Sequence, residues 1–206
     1  MPKIDFKKNL KHLYGPSSRQ FSVVDVPVLH FLMIDGAGDP NTAPVYAQAL
    51  ETLYAVSYKM KFISKKDLNR DYVVPPLEGL WWARDMDVFT SSLDKNAWLW
   101  TMMIMTPDWI EKEIYGQMVA LLPKDKDFPA LPRLRLETYR EGLSVQIMHI
   151  GPYAEEGPTL HWLHHEFMPE NGFTFNGKHH EIYLSDPRRT APEKMKTVLR
   201  QPVRQA

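Results

Sequence analysis

Phe31-Leu-Met-Ile-Asp-Gly36 and Val145-Gln-Ile-Met-His-Ile-Gly151 are the two stretches whose reading decides the fold. Each is an apolar, strand-prone run that stops at glycine just ahead of a helical pattern. Upstream of the first, Phe21–Val26 is another β-branched run, and Pro27 between them predicts a hairpin over 21–34. Upstream of the second, Leu134–Tyr139 and Leu143–Ile150 predict a hairpin around Glu141-Gly142. Downstream, Tyr46, Ala49, Leu50, Leu53, Ser57 and Met60 recur at the 3.6-residue period and predict a helix to about residue 63, capped by Asn41 and Thr42. Leu160, Leu163 and Phe167 do the same over 158–168. Strands then follow both helices: Tyr72-Val-Val, Leu77–Ala83 and Ala97–Met105 in the first half, His180–Ser185 and Met195–Val203 in the second.

One strand–strand–helix–strand–strand unit is therefore read twice. Leu77-Glu-Gly-Leu-Trp-Trp82 lies where the second half has His180-Glu-Ile-Tyr-Leu-Ser185, which sets Glu78 opposite Glu181. The expected fold class is α+β, a tandem pseudo-two-fold repeat of antiparallel sheets with helices on one side and a ligand cleft between the halves. The expected partition is an N-terminal helix or extension over 1–18 and a first repeat over 19–106. A connecting helix and loop cover 107–130, with Thr106-Pro107-Asp108 as the helix start, and the second repeat covers 131–206.

Composition narrows the function classes. The 206 residues carry 25 Lys plus Arg against 25 Asp plus Glu, so no net charge draws the chain to a polyanion, and direct nucleic-acid binding is disfavoured. Cysteine is absent, which removes disulfides, thiolate catalysis and cysteine-type zinc sites and fits a reducing compartment. No signal peptide and no membrane-spanning run are present, so the expected location is cytoplasmic. No dinucleotide, phosphate-loop or nucleophile-elbow motif occurs, and no cofactor is expected. A homodimer is left open.

The candidate site residues come from places where residue type and setting disagree. Glu181 and Tyr183 share one face of a strand whose other face carries His180, Ile182 and Leu184. A glutamate within such a strand must be paired, hydrated or meeting a ligand; an edge position near Arg188 or Arg189 is the plainer alternative. Trp81 and Trp82 take opposite strand faces, whereas Trp98 and Trp100 share one; about half of these rings serve as ordinary core and the remainder can wall a pocket. Glu78 and Gly79 sit beside the Trp pair. His149 and Tyr153 bracket Gly151-Pro152 at a strand end, a common pocket mouth. His161 and His165 with Glu166 lack a third ligand, so no metal is expected. Trp162 lies off the helix stripe and can cap a pocket or join an interface. Arg133, Arg135, Lys124 and Lys126 read as a solvated rim.

Pro75-Pro-Leu-Glu-Gly-Leu-Trp-Trp82, His149-Ile-Gly-Pro-Tyr153, His180-Glu-Ile-Tyr-Leu-Ser-Asp186 and Lys194-Met-Lys-Thr-Val-Leu-Arg-Gln-Pro-Val203 together resemble the gyrase-inhibitor-like (GyrI-like) small-molecule-binding family, in particular its stand-alone members of about this length. The resemblance runs from about residue 19 to 203 and implies a tandem pair of the units read above. It implies a pocket glutamate on a late strand, a position that Glu181 occupies with Tyr183 two residues on. Relatives of that kind include effector-binding domains of multidrug-responsive regulators, which take lipophilic cations, and hydrolases that open cyclopropane rings of alkylating natural products. The leading expectation is binding of a flat, lipophilic, cationic molecule by Glu181, Tyr183, Glu78, Trp81, Trp82, Trp98, Trp100, His149 and Tyr153. The alternative is ring-opening hydrolysis, with Glu181 and Tyr183 catalytic. A protein-binding inhibitor is the weaker third reading.

Overall fold

The computed structural model describes residues 2–84, 94–122 and 127–206 and is a mixed helix-and-sheet fold. Lys124 and Lys126 lie outside the described residues. Two compact units share the chain: one takes Met1–Phe6 and Leu29–Tyr139, the other Lys7–Val28 and Arg140–Ala206. No helix among the described residues is long and apolar enough to cross a membrane.

In the first unit the chain forms β1 (Ser22–Ala37, which enters this unit at Leu29), α3 (Pro44–Asp67), β2 (Leu77–Trp82), β3 (Leu99–Thr106) and α4 (Lys112–Ala120). β3 lies between β1 and β2, antiparallel to both, with Trp100 opposite Gly36 on one side and Trp81 on the other. Gly36 is required there. A β-carbon at this position would stand 2.0 Å from the Trp100 ring, so the indole lies directly across the bare backbone. α3 buries Ala49, Leu53, Ser57 and Met60 of the predicted stripe, and Val56 beside them.

The second unit contains α1 (Phe6–Asn9, entering at Lys7) and α2 (Lys11–Tyr14), then β4 (Arg135–Ile150, entering at Arg140), α5 (Gly157–Trp162), a five-residue π-helical turn (Leu163–Phe167), α6 (Met168–Glu170), β5 (Phe173–Phe175), β6 (His179–Tyr183) and β7 (Lys196–Gln205). β7 pairs antiparallel with β4, β6 and β5. Opposed residues share a face, so the register sorts this sheet into two sides. Val145, Ile147, Leu199 and Val203 pack with Leu163 and Met168 of the helical segment and with Phe21.

The opposite side carries the row His180–Arg200–Gln146. Arg200 donates through Nη1 to Glu141 (2.9 Å), through Nε to Gln146 (2.9 Å) and through Nη2 to the Leu13 carbonyl (2.8 Å). Gln146 donates to the His12 carbonyl (2.7 Å), and His180 Nδ1 meets the other Glu141 oxygen at 2.9 Å. Carbonyls at the end of α2, which have no partner within a helix, are thereby satisfied. Burial alone would raise the Glu141 carboxyl, but His180 and Arg200 outweigh it and hold the group at about 2.

Four sequence expectations are corrected. Both predicted hairpins are single continuous strands, β1 and β4. A two-residue hairpin turn needs positive φ at its central residues. Asp25-Val-Pro-Val28 contains no such residue, and the fixed φ of Pro27 suits extended chain. Gly142 alone turns positive (φ 74°), which β4 absorbs without reversing. The helix expected from Pro107 begins at Lys112, because Trp109 packs its ring against Phe6 and Tyr72 and donates to Ser64 (3.0 Å) while Ile110 is fully buried. Tyr72 forms only an isolated bridge with Ile4, not a strand.

Glu141→Gln leaves Arg200 buried without its counter-charge. The expected loss is about 3–5 kcal/mol in urea unfolding at pH 7. Because the wild-type carboxyl is depressed, its contribution is complete above pH 4.5 and disappears as pH falls toward about 2. The gap between variant and wild type must therefore close in acid.

Candidate functional site

Glu181 and Tyr183 project from β6 on the side of the sheet that carries the apolar helical segment. The register continues from Tyr183 through Thr197 to His149, making one polar row at the end of an apolar face. Tyr183 donates to Glu181 Oε2 at 2.8 Å. The Glu181 side chain is 16% exposed and faces His179 at 3.6 Å, beyond hydrogen-bonding distance. No arginine or lysine pairs with it among the described residues. Tyr153 meets the Tyr183 ring edge to face at 5.6 Å. His149 Nε2 contacts the Pro152 carbonyl at 3.2 Å, which fixes the ring beside the turn.

The sequence reading missed the second carboxyl of this group. Glu156, 5% exposed, precedes α5 and lies beside Thr197 and Glu181. Burial first, and then the negative charge of Glu181, push its carboxyl far above the usual carboxylate range. Its Oε1 has no hydrogen-bond partner among the described residues. Nothing local marked it: Glu155-Glu156-Gly157-Pro158 reads as a surface turn, and the strands that surround it come from distant sequence. Behind Glu181, His164 stacks edge to face on Phe175 and stays neutral, its pKa lowered to about 4 mainly by burial. His161 and His165 stack on each other at 4.6 Å.

A cavity of about 370 Å³ opens beside this row, lined by Ser18, Ile147, Met148, His149, Ile150, Thr159 and Trp162. Trp162 thus borders a cavity, its ring against Phe21 at 4.5 Å.

The remaining predicted residues belong to the first unit. Trp81 and Trp100 face α3 and surround Tyr46, at 6.3 and 5.2 Å between ring centres. Trp98 precedes β3 and packs edge to face on Trp81 at 5.7 Å. These three rings form one packed cluster. Glu78, buried, and Trp82, half-buried, take the other face of β2, in line with Met103 and Leu99 of β3. On that face Thr101 donates to Asp35 at 2.6 Å, and Arg135 pairs with Asp35 at 3.0 Å. This exposed ion pair is part of a solvated rim.

The GyrI-like small molecule binding domain matches residues 19–204. The chain belongs to that family. No curated protein matches the GyrI-like chain. Among solved structures, a conserved protein from Listeria innocua is 42% identical with a TM-score of 0.90, the match spanning 98% of this chain and all of that one. A hydrolase from Listeria innocua is also 42% identical over the same shares, with a TM-score of 0.84. The C-terminal domain of EcmrR, 11% identical across 91% of this chain and 98% of its own, has a TM-score of 0.55 and shares the fold alone.

The raised Glu156 carboxyl has a measurable consequence. Between its ordinary value of 4.5 and about 9 the folded chain holds a proton that the unfolded chain has released, so this group lowers stability as pH rises. Glu156→Gln keeps the neutral shape and removes the titration. Its melting temperature should approach that of wild type near pH 4.5 and exceed it by at least ~2–4 °C at pH 8.5, the shift expected for about 1 kcal/mol in a chain of this size. Parallel curves at the two pH values would show Glu156 to be an ordinary solvated acid.

Proposed function

We propose that this GyrI-like protein binds a flat, lipophilic small molecule against Glu181, Tyr183 and Tyr153 and hydrolyses it by acid–base chemistry shared between Glu181 and Glu156. The observation that carries the reading is a buried carboxyl beside a second one: Glu156 is 5% exposed, burial and then the charge of Glu181 raise its pKa, and Glu181 accepts a hydrogen bond from Tyr183. An acid that keeps its proton near neutral pH, set beside a second carboxyl, is what general acid–base catalysis needs. The 42% identity over almost the whole chain to a protein named a hydrolase supports the same class.

The substrate class that fits is an electrophilic cyclopropane conjugated with a carbonyl. Ring strain supplies part of the driving force, so a sparse site suffices. Glu181 accepts a proton from water as the new oxygen–carbon bond forms. The strained carbon–carbon bond breaks, its electrons reach the conjugated carbonyl oxygen, and that oxygen takes the proton of Glu156. Tyr183, hydrogen-bonded to Glu181, orients the base. The buried Glu156 Oε1, beside the Thr197 hydroxyl, is a polar position at which a substrate oxygen can bind.

A second reading, sequestration of planar lipophilic cations without turnover, draws on the Glu181 carboxylate beside the Tyr153–Tyr183 edge. In this view His149 joins the binding site and neither Glu156 nor Glu181 reacts. We further infer a tandem repeat with boundaries near 19–106 and 131–206. In its support, β3 lies between β1 and β2 as β7 lies between β4 and β6.

The two readings separate in one assay. Incubation with a cyclopropane-bearing alkylator, followed by mass spectrometry, should give the hydrated product far faster than buffer alone. Glu181→Gln and Glu156→Gln should each slow it by about 10²-fold or more. Hydration at the buffer rate, together with cationic dyes that quench tryptophan and lose affinity in Glu181→Gln while neutral analogues do not, would replace hydrolysis by sequestration.

A further inference from the structure

The outward face of α3 carries a feature that small-molecule chemistry does not use. Opposite its buried stripe, Tyr54, Tyr58 and Phe62 recur at intervals of four and are 38%, 50% and 60% exposed. At 100° per residue, Glu51, Tyr54, Phe62 and Lys65 all fall within about 40° of Tyr58 around the helix axis, and the stretch is about 21 Å long. Exposed aromatic rows of this kind are uncommon on a surface that meets only water.

The spacing of this row is symmetric about Tyr58. Tyr54 and Phe62 lie four residues to either side; Glu51 and Lys65 lie seven. We propose that this face of α3 is the interface of a homodimer, in which two copies of the helix cross antiparallel with Tyr58 on the two-fold axis. Tyr58 then meets its own copy, Tyr54 meets Phe62 of the second copy, and Glu51 meets Lys65 of the second copy. A two-fold contact requires a self-complementary surface, with residue i against j and j against i. Both apolar and charged positions of this row meet that requirement, and a foreign partner would not demand it.

Lys65 is available for the exchange. It touches Asp71 at 3.5 Å, but Lys61 already holds that carboxylate at 3.0 Å, and the Lys65 side chain is 60% exposed. Lys61 also lies over the Phe62 ring at 5.0 Å, which holds the ring at the surface by a cation–π contact. The row belongs to one unit and is remote in sequence from Glu156 and Glu181, so dimerisation and hydrolysis stand or fall separately.

The absence of cysteine makes the test direct. Light scattering at tens of micromolar should give twice the 24.0 kDa chain mass. Tyr58→Cys, the only thiol in its chain, should form an interchain disulfide on mild oxidation. Phe62→Lys should weaken the dimer at least tenfold while leaving the melting temperature of the dilute, monomeric chain unchanged, because the side chain is exposed in the folded chain. Glu51→Lys should weaken the dimer, and adding Lys65→Glu should restore it. A monomer at ~100 µM would overturn the proposal. So would a dimer that ignores Phe62→Lys and leaves Tyr58→Cys reduced, since it would use another surface.

Discussion

A buried arginine organises the second unit. Arg200 stands at the centre of β7, and its three nitrogens reach Glu141, Gln146 and the Leu13 carbonyl. A guanidinium taken out of water costs several kcal/mol unless its donors are met, so these partners have to be in place together. They come from β4 and α2, distant in sequence. With His180 on Glu141, one charged row fixes the register of three strands and the seat of a short helix that could not persist alone. A one-residue slip of β7 would carry Arg200 to the opposite face, away from Glu141, Gln146 and the Leu13 carbonyl.

That constraint frees the other face of the sheet. With register held by Arg200, residues 149, 197 and 183 align as a polar row at the end of an apolar patch formed by Val145, Ile147 and Leu199. Such a face removes water from Glu156 without providing a cation. Glu141 and Glu156 are both buried acids of one unit, and they are held in opposite states. The difference is not burial but what the neighbours carry: Arg200 and His180 beside the first, Glu181 beside the second. The first serves the fold; the second is left with a proton to give.

Much of this was legible in the sequence where a single element carries its own signal. The α3 stripe, β2, β3, β6 and β7 follow from periodicity, and the alternation that puts Glu181 and Tyr183 on one face follows from strand geometry. The long strands were not legible as such, because Pro27 and Gly142 are turn residues by type, and only the continuous extended course of β1 and β4 shows that they are crossed without reversal. Arg200 could have been found. A charge within Thr197-Val-Leu-Arg-Gln-Pro-Val203 is the same anomaly that singled out Glu181. Glu156 could not: its burial is made by residues 25 to 41 positions away, and its own neighbours look like a surface turn.

The tryptophans carry the complementary lesson. Aromatic density in sequence does not separate a pocket wall from a packed core, since both draw on the same burial energy. Trp81, Trp98 and Trp100 enclose Tyr46 and one another, and Gly36 yields its side chain so that Trp100 can lie against the strand. Rings committed this way have little edge left for a ligand. Tyr153 and Tyr183 are fewer and less conspicuous, yet Tyr183 carries Tyr153 on its ring and bonds Glu181, the carboxyl beside buried Glu156. Chemistry is therefore better sought where polar groups are under-satisfied than where rings are most numerous, and in this chain that criterion selects the end of the sheet shared by β4, β6 and β7.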